Sequence, residues 1–66
     1  MSAEGLINLS QAVAHGNLRR VRNFKTEQQG TVINVMGEGL MVDVGSNTEV
    51  WTYKDCEEII RKESSL

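Results

Sequence analysis

Residues 30–53 read GTVINVMGEGLMVDVGSNTEVWTY, and this stretch decides the fold. It contains three short runs that are rich in the β-branched and aromatic residues favoured on a pleated, half-buried surface: residues 31–36, 40–44 and 49–53. Two glycine-containing turns, GEG and GSN, separate the runs and tolerate the positive φ that tight hairpins require. The stretch therefore predicts a meander in which each strand is antiparallel to the next.

The middle run indicates which face of this sheet is buried. Leu40, Val42 and Val44 alternate with Met41 and Asp43. Because successive side chains of a strand point to opposite faces, the three apolar residues share one face and Asp43 lies on the other. A charged residue between two valines is typical of a strand with one solvent-exposed side.

The beginning of the chain has helical rather than strand spacing. Leu6, Leu9 and Val13 recur at offsets that place them on one face of a helix, and Gly16 is a candidate stop. An isolated helix of this length is only marginally stable in water. This segment is therefore predicted to be either a helix packed on the rest of the chain or a disordered tail.

Two further strands flank the meander. Residues 18–24, LRRVRNF, predict the first strand, with Val21 pointing inward. Gly30 opens the second strand and indicates a sharp bend or a close backbone approach. Residues 54–56 predict a single helical turn, and residues 57–61 predict a last short strand through Ile59 or Ile60.

Five short strands with one turn before the fifth are the layout of an SH3-like small barrel. The runs GTVINV, MVDV, EVWTY and DCEEI resemble the KOW and Tudor branch of that fold, in which a Gly-x-Val-x-x-Val strand is followed by a Val-x-Val strand. The resemblance implies a module that binds RNA, ribosomal or polymerase surfaces, or peptides. We therefore expect a mainly β chain with an N-terminal helix or disordered tail over residues 1–17, a five-stranded SH3-like barrel over residues 18–63 and a frayed C-terminus over residues 64–66.

The charge distribution bears on the kind of partner. The formal net charge of −2 disfavours a general nucleic-acid binder, because counterion release requires clustered lysine and arginine. The basic residues that do cluster are Arg19, Arg20, Arg22 and Lys25. A protein partner or a second copy of the chain is therefore favoured, and RNA is the alternative partner. A purely structural explanation is that outward arginines keep an exposed strand from pairing with other chains.

The aromatic residues of the fourth predicted strand are the other candidates for contact with a partner. Trp51 and Tyr53 are two residues apart and therefore share a face. In one arrangement the two rings form the core, with Val50 and Thr52 outside. In the other, Val50 faces inward and the rings anchor a protein partner or a second copy. The interaction hypothesis takes the second arrangement.

A second resemblance concerns chemistry. The runs RVR at residues 20–22, QG at residues 29–30 and VWTY at residues 50–53 are similar to the plasmid-type, type II dihydrofolate reductases, which are also SH3-like barrels. This resemblance implies, as a further alternative, NADPH-dependent reduction of dihydrofolate in a pore that four subunits share. Where that family presents a glutamine to the ligand rings, this chain has Trp51.

The inventory of reactive residues favours a non-catalytic function. The chain has one histidine, His15, and one cysteine, Cys56. His15 beside a glycine is typical of a helix-end cation, and Cys56 among acidic residues is typical of a structural thiol. We therefore expect no catalytic residue, no metal site and no cofactor. A lone cysteine, no membrane span and no secretory signal indicate the cytoplasm.

The sequence thus predicts a cytoplasmic, oligomer-forming interaction module without enzymatic activity. Its expected contact surface consists of the aromatic pair and the basic first strand: Trp51, Tyr53, Arg19, Arg20, Arg22 and Lys25.

Overall fold

A computed structural model describes residues 1–60 and shows a mainly β chain with one N-terminal helix. The elements are α1 (Ala3–Ala14), β1 (Arg19–Asn23), β2 (Gln29–Met36), β3 (Gly39–Asp43), β4 (Thr48–Thr52), a single-turn 3-10 helix (Tyr53–Asp55) and β5 (Cys56–Glu58). The five strands form one sheet in the order β4-β3-β2-β1-β5, and every neighbouring pair is antiparallel. The predicted mainly β class, the meander and the helix are confirmed. The expected domain end at residue 63 and the frayed residues 64–66 lie outside the described residues.

Capping and one apolar face explain α1. The Ser2 hydroxyl accepts a hydrogen bond at 3.0 Å from the backbone N–H three residues later, as a favoured N-cap does. Gly16 has a φ of +83°, the left-handed conformation that commonly ends a helix. Leu9 is buried, and Leu6 and Val13 pack against the same core. The predicted helical face is therefore the face that α1 presents to the sheet.

The core draws on α1 and every strand. Within residues 1–60 its seven buried apolar residues are Leu9, Val21, Val32, Leu40, Val42, Trp51 and Cys56. The predicted alternation in β3 is confirmed, because Leu40 and Val42 are fully buried while Asp43 is exposed. A chain of this size buries only about 60% of its unfolded surface, so each of these few side chains carries a large share of the stability.

The N-terminal ammonium joins the helix to the far end of the sheet. It donates to the Tyr53 carbonyl at 3.1 Å and also to the Cys56 carbonyl. Tyr53 is the first residue of the 3-10 helix and Cys56 directly follows it, and the Met1 side chain packs against the core. The start of α1 is thereby held at the connection between β4 and β5.

The last strand begins earlier than the sequence predicts. It was expected over residues 57–61, but β5 runs from Cys56 to Glu58, and the preceding helical turn also begins one residue early. The reason is that Cys56 is completely buried and pairs with Asn23, so strand pairing starts as soon as the turn ends. Ile59 still donates its backbone N–H to Arg20 at 2.9 Å, whereas Ile60 is 76% exposed.

Candidate interaction surface

Trp51 lies in the core, which corrects the arrangement that the interaction hypothesis assumed. Its side chain is 5% exposed, and its Nε1 donates to Glu49 Oε1 at 2.9 Å. Val50, which was expected to face inward, is 62% exposed. The strand register gives the reason: Trp51 pairs with buried Leu40, whereas Val50 pairs with Met41 on the opposite face. The indole therefore cannot anchor a partner in the way that was predicted.

Tyr53 joins elements of its own chain. It begins the 3-10 helix, is partly buried and packs against the core. Its backbone N–H donates to Glu38 at 3.0 Å, and its carbonyl accepts from the N-terminal ammonium. Tyr53 thus connects the end of β4 to the β2–β3 turn and to the start of α1.

Two of the four predicted basic residues are matched by carboxylates. Arg19 Nε lies 3.7 Å from Glu58 Oε2, and Lys25 Nζ lies 3.7 Å from Asp55 Oδ2. Both pairs are open to solvent, so they contribute little to stability. They do reduce the positive field that a polyanion would meet at this end of the sheet.

Arg20 and Arg22 lie together on the side of β1 opposite to buried Val21. Arg20 donates to the Thr31 hydroxyl at 3.1 Å. The guanidinium carbon of Arg22 lies 5.9 Å from the ring centroid of Phe24, within cation–π range, and Phe24 is 47% exposed. The structure therefore places both predicted arginines on one face and brings Arg22 next to an exposed ring.

The same face of the sheet carries apolar residues that the sequence analysis did not assign to a surface. Met36 and Val50 are 42% and 62% exposed, and Met41 is partly buried. Met36 pairs with Gly39, and a Cβ built on Gly39 would lie 3.2 Å from Val50 Cγ1, so these side chains are neighbours. Because Gly39 and Met41 alternate with buried Leu40, this cluster lies on the side that faces away from the core.

We call this solvent side of the sheet the outer face. Its charged and apolar residues are Arg20 and Arg22 on β1, Met36 on β2, Met41 and Asp43 on β3, and Val50 on β4. The arginines lie beside residues 29–31 of β2, whereas the apolar residues lie beside residues 34–36. The outer face therefore has a charged end, where the two arginines lie near Asp43 across Thr31, and an apolar end, separated along β2.

The strand phase could have predicted the apolar end from the sequence. Once Asp43 is placed on the exposed face, Met41 must lie on that face as well. The residue of β4 that pairs with Met41 then also lies on the exposed face. What the sequence does not contain is the register between β3 and β4. Ile33, which is 48% exposed, has a different origin: the register shifts between Val32 and Asn34, and Ile33 is the extra residue.

The structure shows where the candidate reactive residues lie. Within residues 1–60 no group of three or more His, Cys, Asp or Glu side chains is placed to hold a metal. The His15 ring makes a 2.8 Å hydrogen bond through Nδ1 to the Gln11 carbonyl in the last turn of α1. This is the helix-end position that the sequence predicts. No helix within residues 1–60 is long and apolar enough to cross a bilayer.

The thiol of Cys56 predicts a dependence of stability on pH. Burial, and next the neighbouring Asp55 carboxylate, raise the pKa of Cys56, and the N-terminal ammonium only partly opposes this. A thiol in the unfolded chain ionises at about pH 8.5, before the folded one does, so the unfolded state loses its proton first. The free energy of unfolding is therefore expected to fall as the pH rises from about 8.5 towards the raised pKa.

Urea unfolding between pH 7 and pH 10 measures this effect. The matched variant is Cys56→Ala. It should have a lower free energy of unfolding at every pH, but that free energy should not show the fall above about pH 8.5 that the thiol causes. An identical slope in both proteins would show that Cys56 is not the titrating group.

Comparison of the chain with models of protein families, with curated proteins and with solved structures gives no match. The contacts of the outer face are therefore the basis on which a function is proposed.

Proposed function

We propose that this chain is a non-catalytic interaction module of the SH3-like barrel class that binds a protein partner through its outer face. The strand order, with a 3-10 helix between β4 and β5 and β5 paired to β1, supports assignment to that class. The lone, buried thiol of Cys56 supports the cytoplasm as the compartment.

One observation carries the proposal: outward apolar side chains on adjacent strands share a sheet face with two outward arginines. Met36 and Val50 are both more than 40% exposed and lie on either side of Gly39. Contiguous exposed apolar groups rimmed by polar ones are typical of protein-binding sites. Arginine is enriched at such sites because its planar guanidinium makes several directed hydrogen bonds.

The charges favour a protein over a nucleic acid. Arg19 and Lys25 face carboxylates of their own chain, and Glu57 lies directly across the strand pair from Arg22. A phosphate backbone would meet these carboxylates as well as the arginines, which weakens the counterion-release contribution to binding. A protein surface with one acidic and one apolar region matches the two ends of the outer face better.

A variant-resolved capture experiment tests the proposal. The chain and two outer-face variants, Arg20→Glu and Met36→Glu, are immobilised, and retained proteins are quantified by mass spectrometry. The control is Ile7→Glu, which changes an exposed apolar residue of α1. We expect at least one protein that the unmodified chain and the control retain and that both outer-face variants lose by about tenfold or more, since central interface residues contribute about 1–2 kcal/mol each. Once purified, that protein should bind the unmodified chain and Ile7→Glu with low Kd values and the two outer-face variants with Kd values about tenfold or more higher.

Equal retention by all four proteins would contradict an outer-face site. One observation favours RNA as the second candidate partner: Arg22 stacks beside the exposed Phe24 ring, and bases stack on such pairs. Binding of a mixed-sequence oligonucleotide that weakens steeply with salt and disappears in Arg20→Ala with Arg22→Ala would favour that candidate. Titration with NADPH and dihydrofolate tests the reductase resemblance, and saturable binding with hydride transfer would replace the present proposal.

A further inference from the structure

In β4, residues that bond to β3 through their backbone alternate with residues whose backbone N–H and C=O groups point away from β3 and can bond to another strand. The β3–β4 ladder is bracketed by two bonds, from Tyr53 N–H to the Glu38 carbonyl and from Val44 N–H to the Asn47 carbonyl, each 3.0 Å long. In an antiparallel pair, hydrogen-bonded positions alternate with non-bonded ones. Residues 49 and 51 therefore bond to β3, and Thr48, Val50 and Thr52 direct their N–H and C=O groups away from it.

This outward row lies at an end of the sheet. β4 pairs with β3, and no other strand in residues 1–60 pairs with it. Proteins commonly protect such edges with lysine, proline, a bulge or an inward-pointing charge. β4, with the sequence TEVWT, has no lysine, proline or bulge, and its one charged residue, Glu49, is engaged by the indole N–H of Trp51. Its threonines and valine are strong strand formers. The edge is therefore well suited to accept another strand.

The opposite end of the sheet differs. In β5 the Cys56 N–H donates to the Tyr53 carbonyl, and the Cys56 carbonyl accepts from the N-terminal ammonium. Both backbone groups of the first β5 residue are thus already bonded. Pairing of β4 with β5 of another copy would also bring Glu49 towards Glu57 and Glu58, which like-charge repulsion disfavours.

We propose that two copies of the chain pair antiparallel along their β4 edges, about a two-fold axis at Val50. Val50 then lies opposite Val50 of the second copy, and Thr48 lies opposite Thr52, so all six outward backbone groups of each edge are bonded. This inference goes beyond the proposed partner binding, because it concerns the backbone edge of β4; Val50 is the one charged or apolar residue that the edge shares with the outer face.

The edge is complementary to itself under this two-fold. Glu49 lies opposite Trp51 of the second copy and not opposite another carboxylate, so the pairing places no like charges face to face. The two Val50 side chains meet across the axis and cover apolar surface that is 62% exposed in the single chain. A second copy also adds buried surface to the small core that residues 1–60 form, and association is a common way to stabilise chains of this size.

A cysteine scan tests this geometry. Paired residues in a bonded antiparallel position have Cα atoms about 5.5 Å apart, within the range that a disulfide spans. Val50→Cys is therefore expected to form a covalent dimer under mild oxidation. In Thr48→Cys the two introduced thiols are displaced by four residues along the strands, about 13 Å, so at least tenfold less dimer is expected. A mixture of Thr48→Cys and Thr52→Cys should cross-link again.

Trypsin separates these products from any involving Cys56, since cleavage after Lys25 and Lys54 places positions 50 and 56 in different peptides. A 50-to-50 linkage confirms the two-fold. Val50→Cys that cross-links no better than Thr48→Cys, or only to Cys56, would overturn it.

The solution mass provides an independent readout. Val50→Pro removes an outward N–H that the β3 ladder does not use, so we expect the mass to fall twofold, from dimer to monomer. Val50→Thr keeps the N–H and should remain a dimer. Val50→Lys changes an exposed side chain and should give a folded monomer. This variant keeps the test valid even where the proline variant does not fold. An unmodified chain that is monomeric at millimolar concentration, or an assembly larger than two, would contradict the proposal, whereas loss of the outer-face partner alone would leave it intact.

Discussion

Replacement of Trp51 by alanine is expected to lower the free energy of unfolding by about 3–5 kcal/mol, the range for truncating a large buried aromatic side chain. The indole is 5% exposed, is part of the core cluster and donates to Glu49 at 2.9 Å. A single core in a chain this short supplies only about 3–5 kcal/mol in total. We therefore expect Trp51→Ala to be largely unfolded without denaturant, as measured by far-UV circular dichroism and urea titration.

Ile7→Ala is the matched control, because it also shortens an apolar side chain but at a position that is 57% exposed. Its unfolding free energy should stay within about 0.5 kcal/mol of the unmodified chain. In the unmodified chain, Trp51 emission should be strongly blue-shifted and should not change on dilution. A stable Trp51→Ala variant, or an emission maximum that shifts to the red on dilution, would place the indole at an interface and restore the arrangement that the sequence favoured.

The contrast between β3 and β4 shows what the sequence could establish. In β3 the charged residue, Asp43, lies on the exposed side, and the alternation predicts every face correctly. In β4 the charged residue, Glu49, shares a face with Trp51 and accepts its indole N–H. A carboxylate therefore marks the exposed face in β3 but lies on the core side in β4. Residue type alone does not show which of these two cases applies.

The contacts between distant segments were also beyond the sequence. Arg19 and Lys25 were predicted as part of the basic contact surface. Their carboxylate partners, Glu58 and Asp55, follow them by thirty or more positions and meet them only through β1–β5 pairing. The runs and turns that define the meander are local, and they were predicted. Side-chain environments that depend on register between non-consecutive strands were not.

Gly30 is the position where a single added methyl group is expected to have the largest effect. A Cβ built there would overlap the Val42 side chain and lie 2.7 Å from the Asp43 carbonyl oxygen. Val42 is fully buried, and the Asp43 carbonyl belongs to the backbone of β3, so neither can move aside without disturbing the sheet. Overpacking of this kind typically costs about 1–3 kcal/mol and occasionally more. We expect Gly30→Ala to lose about 3 kcal/mol in urea unfolding.

Gly39→Ala separates this steric effect from the general consequences of replacing a strand glycine. Its Cβ would lie 3.2 Å from Val50 Cγ1, and Val50 is exposed and free to rotate, so the cost should stay within about 1 kcal/mol. The difference between the two alanine variants therefore measures the close approach of β2 to β3. Because both residues lie in strands and neither has a positive φ, the backbone preference for glycine cancels in the comparison. Equal losses would mean that the strands can separate at Gly30, and the tight contact inferred there would be wrong.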